Sequence, residues 1–172
     1  CEGVILDFRY NSGGRISNRL LEMLDDKPWI FSRMRGGTPV PEDVHRGFSV
    51  QKAVVGMFNY SSFSNAEMMC AGFRLRAIGP TVGTPTSGGV IGTWPKILLD
   101  GSEMRLPRFM VADYKGRNLE LSPTEPEFVV EETFVDEMEG RRPQLDKAIE
   151  EALKAAEKNP ERLLPKQTGD SK

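Results

Sequence analysis

The run Gly3-Val-Ile-Leu-Asp-Phe8 is short and almost unbroken in apolar character, the pattern of a strand buried on both faces. From Ile16 the period changes. Ile16, Leu20, Met23 and Leu24 recur at helical spacing and predict one apolar helix face. Pro28 disfavours helix at Lys27 and ends it. Trp29 to Arg35 predicts a second strand, and Gly36 to Phe48 a long loop rich in Gly and Pro. Lys52 to Phe58 predicts a third strand, small and apolar. A helix then starts at Ser64, with Ala66, Met69, Cys70, Phe73 and Ala77 as its buried stripe, and Gly79-Pro80 closes it. Thr81-Val-Gly83 is a short strand. Trp94 to Val111 predicts an antiparallel hairpin turning at Asp100-Gly101. Phe128 to Val130 is a further short strand. Pro143 opens a last helix at a first-turn position, with Leu145, Ile149, Ala152, Leu153 and Ala156 on one side. Strands alternating with helices imply parallel pairing through helical crossovers, hence an α/β class.

Two loops interrupt this pattern with glycine pairs: Arg9-Tyr-Asn-Ser-Gly-Gly14, and Thr84-Pro-Thr-Ser-Gly-Gly-Val-Ile-Gly92. Adjacent glycines let backbone N–H groups point at a ligand. The first loop does not match a P-loop or a dinucleotide fingerprint, which excludes phosphate binding of those kinds there. Ser64 falls where strand gives way to helix. Unpaired N–H groups and the positive end of the helix dipole meet there. The residues alone admit two readings. Ser64 is an N-cap with Glu67 as its capping-box partner, or its hydroxyl sits beside donors for a developing oxyanion.

Composition narrows the field. In 172 residues, 38% apolar and 28% charged, 23 Lys+Arg stand against 25 Asp+Glu for a net charge of −2. No basic stripe suggests nucleic acid, and no apolar run approaches the roughly 20 residues a membrane span needs. Cys1 and Cys70 form neither a disulfide framework nor a metal spacing; Cys70 is expected to be a small buried hydrophobe. His45, the single histidine, is expected to be a solvated loop residue, and Arg33 and Arg35 ordinary surface charges. The chain opens inside a strand with no initiator Met, so a piece of a longer protein is expected. Residues 1–158 would be its core and 159–172 a C-terminal tail. A cytoplasmic location is the expectation.

Three stretches together resemble a known family. Gly3-Val-Ile-Leu-Asp-Phe-Arg-Tyr-Asn-Ser-Gly-Gly14 is similar to the strand and glycine loop of the tail-specific, or C-terminal-processing, serine peptidases. Ser64-Asn-Ala-Glu67 resembles their nucleophile turn. The processing branch carries its base, a lysine, in the second glycine loop. Here that place is Gly89, which resembles the tricorn branch instead. Trp94-Pro-Lys-Ile-Leu-Leu-Asp-Gly101 and Pro143 to Leu153 also resemble tricorn-type cores.

The resemblance implies a ClpP/crotonase-like fold of stacked ββα units and a serine endopeptidase without cofactor or metal. Ser64 would be the nucleophile. The oxyanion hole would be the N–H of Asn65 with one from Gly13 or Gly14. Glu120, with Glu125 behind it, would help orient a base histidine. That histidine belongs to a segment upstream of Cys1, so the isolated chain is expected to be inactive. Where the family has Asn and Gly after the glutamate, this chain has Leu121 and Pro123. Substrates would be peptides or unfolded polypeptides, and the full-length protein a homo-oligomer. The alternatives are a non-catalytic peptide-binding or assembly module of the same fold, and a crotonase-type acyl-CoA enzyme.

Overall fold

The computed structural model describes residues 3–25, 31–32, 40–41 and 52–158. The expected tail, His45, Arg33, Arg35 and Cys1 lie outside them. In chain order the elements are β1 (Gly3–Asp7), α1 (Ser17–Asp25), β2 (Phe31–Ser32), β3 (Val40–Pro41), β4 (Ala53–Phe58) and α2 (Asn65–Leu75). Then come β5 (Thr81–Gly83), β6 (Gly92–Ile97), β7 (Glu103–Phe109), β8 (Phe128–Val129), α3 (Phe134–Met138) and α4 (Pro143–Lys158). Four strands form one sheet in the order β1-β4-β5-β8, and every pair in it is parallel. Two-stranded ladders, β2-β3 and β6-β7, stand apart from it. No helix among the described residues is long and apolar enough to cross a membrane.

β4 explains the layering. Its side chains alternate, as strand geometry requires. Val54 and Phe58 join Phe8, Leu21, Leu24, Met69, Cys70, Phe73 and Ile78 beneath α1 and α2. Val55 and Met57 join Val82, Ala148 and Ala152 beneath α4. A strand that feeds two cores must be apolar at nearly every position, which is why its sequence shows no alternation.

Three helix faces differ from the sequence pattern. In α1 the buried apolar residues are Leu21 and Leu24, while Ile16 precedes the helix and is exposed. Ala77 lies past the end of α2, in a turn at φ 49° where Ile78 N–H reaches back to Phe73 O at 3.2 Å. In α4 the sheet-facing residues are Leu145, Ala148 and Ala152. Ile149 and Leu153 are 43% and 54% exposed, and line a shallow apolar groove with Gly3 and Ile5 at the β1 edge. The apolar stripe of α4 is therefore wider than its contact with the sheet.

The β5 end is set by a close backbone approach. Gly83 has φ 138°, and a Cβ there would lie 1.8 Å from Phe58 O. Thr84 N–H also donates to that oxygen, at 3.1 Å. Gly83→Ala is expected to destabilise the protein by about 3 kcal/mol or more, the sum of backbone strain and overpacking. Urea unfolding measures it, and an unchanged midpoint would contradict the approach described.

Candidate active site

The carboxyl ends of β1, β4 and β5 are neighbours in the sheet, and the loops that leave them meet. This is where open parallel sheets place their sites. The turn after β4 is tied to the loop after β1. Ser62 Oγ, fully buried, donates to Phe8 O at 2.9 Å, and Tyr10 N–H donates to Asn59 Oδ1 at 3.1 Å. Phe63 N–H donates to Asn11 O at 3.0 Å.

Ser64 is the N-cap residue of α2, but not in the usual way. Its backbone is at φ 58°, ψ −122°, and its side chain makes no cap hydrogen bond. Ordinary N-caps have extended backbone and a side chain that accepts from the first turn. A non-glycine residue at positive φ costs of order 1–3 kcal/mol and needs outside support. Support comes from the second glycine loop: Ser64 N–H donates to Gly89 O at 2.9 Å. The capping box is absent, because Glu67 is turned inward onto Thr86, Gly88 and Gly89. Of the two sequence readings of Ser64, the capping box is the one the geometry removes.

Gly13 packs directly on this turn. A Cβ at Gly13 would lie 2.9 Å from Ser64 Cβ and 3.1 Å from Asn65 N, and φ there is 112°. Only glycine fits. Gly13 N–H is taken by Asn11 Oδ1 at 2.9 Å. Gly14 N–H and Asn65 N–H have no hydrogen-bond partner among the described residues. The Asn65 side chain binds the two regions together. Its Oδ1 accepts from Ile16 N–H and Ser17 N–H at 2.9 and 3.1 Å, and its Nδ2 donates to Ser17 Oγ at 2.8 Å. The residue after the serine thus caps α1, a role that sequence spacing did not reveal because 48 positions separate it from Ser17.

Glu120 is bound to the second glycine loop. Its Oε2 accepts from Val90 N–H and Ile91 N–H, both at 2.7 Å. No hydrogen bond joins it to Ser64, and its Oε1 is unbonded among the described residues. Glu125 is exposed and lines a separate cleft with Arg74 and Lys115. Cys70 is buried as expected; burial, and then the Glu67 charge, push its thiol well above the usual range, so it stays protonated. Gly89 has its own steric reason: a Cβ there would come 2.3 Å from the Phe63 ring. A longer side chain at this position would have to displace that ring.

Two departures at 121 and 123 now have a structural setting. Leu121 is at φ 56° and 85% exposed, with its N–H on Gly88 O at 2.7 Å. Left-handed backbone is cheap for Asn and Gly and costly for Leu. Pro123 packs on Gly88, whose Cβ position lies 3.2 Å from its ring.

The chain belongs to peptidase family S41, whose model matches residues 1–130. A curated relative, tricorn protease homolog 1 of Streptomyces coelicolor, is 35% identical over 169 residues, covering 95% of this chain and 15% of the relative. A solved tricorn protease superposes with TM-score 0.79 at 28% identity, over 91% of this chain and 15% of that one. The photosystem II D1 C-terminal processing protease, 20% identical over 76% of this chain and 35% of that one, superposes with TM-score 0.57 and shares the fold. That fold is ClpP/crotonase-like, and the resemblance to the tricorn branch holds across most of the chain. The chain spans about one-seventh of the tricorn relatives' length.

Leu121→Gly is expected to raise stability by about 1 kcal/mol, since relief of left-handed strain exceeds the added unfolded-state entropy and no buried contact is lost. Thermal or urea unfolding measures it. A loss of stability would show that the turn does not need positive φ.

Proposed function

We propose that this chain is the catalytic core of a tricorn-type serine endopeptidase, with Ser64 as nucleophile. One observation carries the reading: a strained serine set against a glycine loop, its hydroxyl and two neighbouring N–H groups without a hydrogen-bond partner among the described residues. Ser64 Oγ attacks the carbonyl carbon of a peptide bond. The oxygen that gains charge is held by Asn65 N–H and by Gly14 N–H, the member of the glycine pair left free by Asn11. Such donors stabilise the charge most where water is excluded. The Oγ proton passes to a histidine and then to the leaving amine. Water hydrolyses the acyl-enzyme in a second step.

The histidine comes from a segment outside residues 1–172, as family resemblance implies. Glu120 helps orient it through Oε1, the oxygen not engaged by the glycine loop. Peptides or unfolded polypeptides are the substrates, and the full-length protein is a homo-oligomer. Without its base the isolated chain is inactive, since a general base contributes about 10²–10⁴ in rate.

A fluorophosphonate probe tests this on the full-length protein. Labelling is expected at Ser64 and is abolished by Ser64→Ala, while the isolated chain labels about 100-fold more slowly or not at all. Labelling that survives Ser64→Ala would refute Ser64 as the nucleophile, and labelling that never occurs in any assembly would leave a binding or assembly module as the reading.

A further inference from the structure

A fully buried carboxylate needs partners, because burying an unpaired charge is costly. Glu67 is 1% exposed and sits in the first turn of α2, three positions after Ser64. Its partners come from a loop twenty residues further on. Oε1 accepts from Thr86 Oγ1 at 2.6 Å and from Gly88 N–H at 2.7 Å, and Oε2 accepts from Gly89 N–H at 2.9 Å. Three donors converge on two oxygens that only accept. The helix start adds its own positive field.

In a capping box the carboxylate three residues into the helix holds the N–H of the cap residue directly. Here Gly89 is inserted between the two halves. Ser64 N–H donates to Gly89 O, and Gly89 N–H donates to Glu67 Oε2. Glu67 therefore fixes the residue whose carbonyl fixes the strained serine. We propose that Glu67 is a positioning residue for Ser64, acting through Gly89. The proposal rests on the reading of Ser64 as nucleophile.

An amide in place of the carboxylate keeps the shape but turns an N–H₂ toward one of the three donors. The loop then shifts, and Ser64 moves with Gly89 O. Displacements of this kind cost attack geometry rather than substrate binding. A residue that only filled space would instead lower activity in step with stability.

The test uses the full-length protein. Glu67→Gln is expected to slow fluorophosphonate labelling of Ser64 by about 10- to 100-fold and to lower kcat while leaving KM nearly unchanged. The comparison is Ala152→Gly, which lowers stability on the opposite face of the sheet without touching either loop. Two results would overturn the proposal: wild-type labelling in Glu67→Gln, or a loss no larger than that of Ala152→Gly at a matched fall in Tm. If Glu67→Gln does not fold, Glu67→Asp serves. It keeps the charge and withdraws it by one methylene from Gly89; slower labelling supports the relay, and the wild-type rate refutes it. A wild-type protein that is never labelled at Ser64 refutes the nucleophile reading itself, a different result from any of these.

Discussion

The hydrogen bond from Ser64 N–H to Gly89 O is the constraint on which the site depends. A serine at φ 58°, ψ −122° costs of order 1–3 kcal/mol, and one hydrogen bond contributes about 1 kcal/mol net. One bond therefore does not hold the turn unaided. Phe63 N–H on Asn11 O fixes the residue before the serine, and Met68 N–H on Ser64 O fixes the residue itself into α2. Gly13 closes the remaining side by packing where no other residue fits. The strain is shared among the two glycine loops and the helix. Each loop must be in place for the serine to be.

The sheet makes that arrangement available. β1 delivers the first glycine loop, β4 the serine turn and β5 the second glycine loop, and the three strands are neighbours and parallel. Their carboxyl ends lie at one edge of the molecule because each crossover returns the chain to the same side. α1 and α2 cover one face and α4 the other, so the strand ends sit on a core packed from both sides. Glu67 and Glu120 then brace the second glycine loop, one from beneath within α2 and one from the loop after β7. A glycine loop has little side-chain packing of its own, and here two carboxylates take over that work.

Much of this was legible in the residues. The apolar run of β4, the stripe Ala66, Met69, Cys70 and Phe73, and the hairpin turn at Asp100-Gly101 are local patterns, and each appears where the sequence places it. The glycine pairs and Ser64 could be picked out for the same reason. The contacts that decide the site are not local. Glu67 has the spacing of a capping-box partner, and nothing near it shows that Thr86 to Gly89 will claim its oxygens. Asn65 shows no sign of capping α1, and Ile16 consequently leaves the helix face that its spacing assigns to it. Leu121 gives no hint of positive φ, because leucine has no preference for it. Ile149 and Leu153 match helical periodicity, but periodicity does not say how wide a surface the sheet offers.

The central claim is that Ser64 is held in a strained backbone rather than serving as an ordinary cap. Equilibrium unfolding of Ser64→Gly tests it most directly. With no side-chain hydrogen bond to lose among the described residues, the substitution should raise stability by about 1 kcal/mol as the positive-φ strain is relieved. A loss of stability, the result expected where glycine replaces a capping serine, would contradict the account.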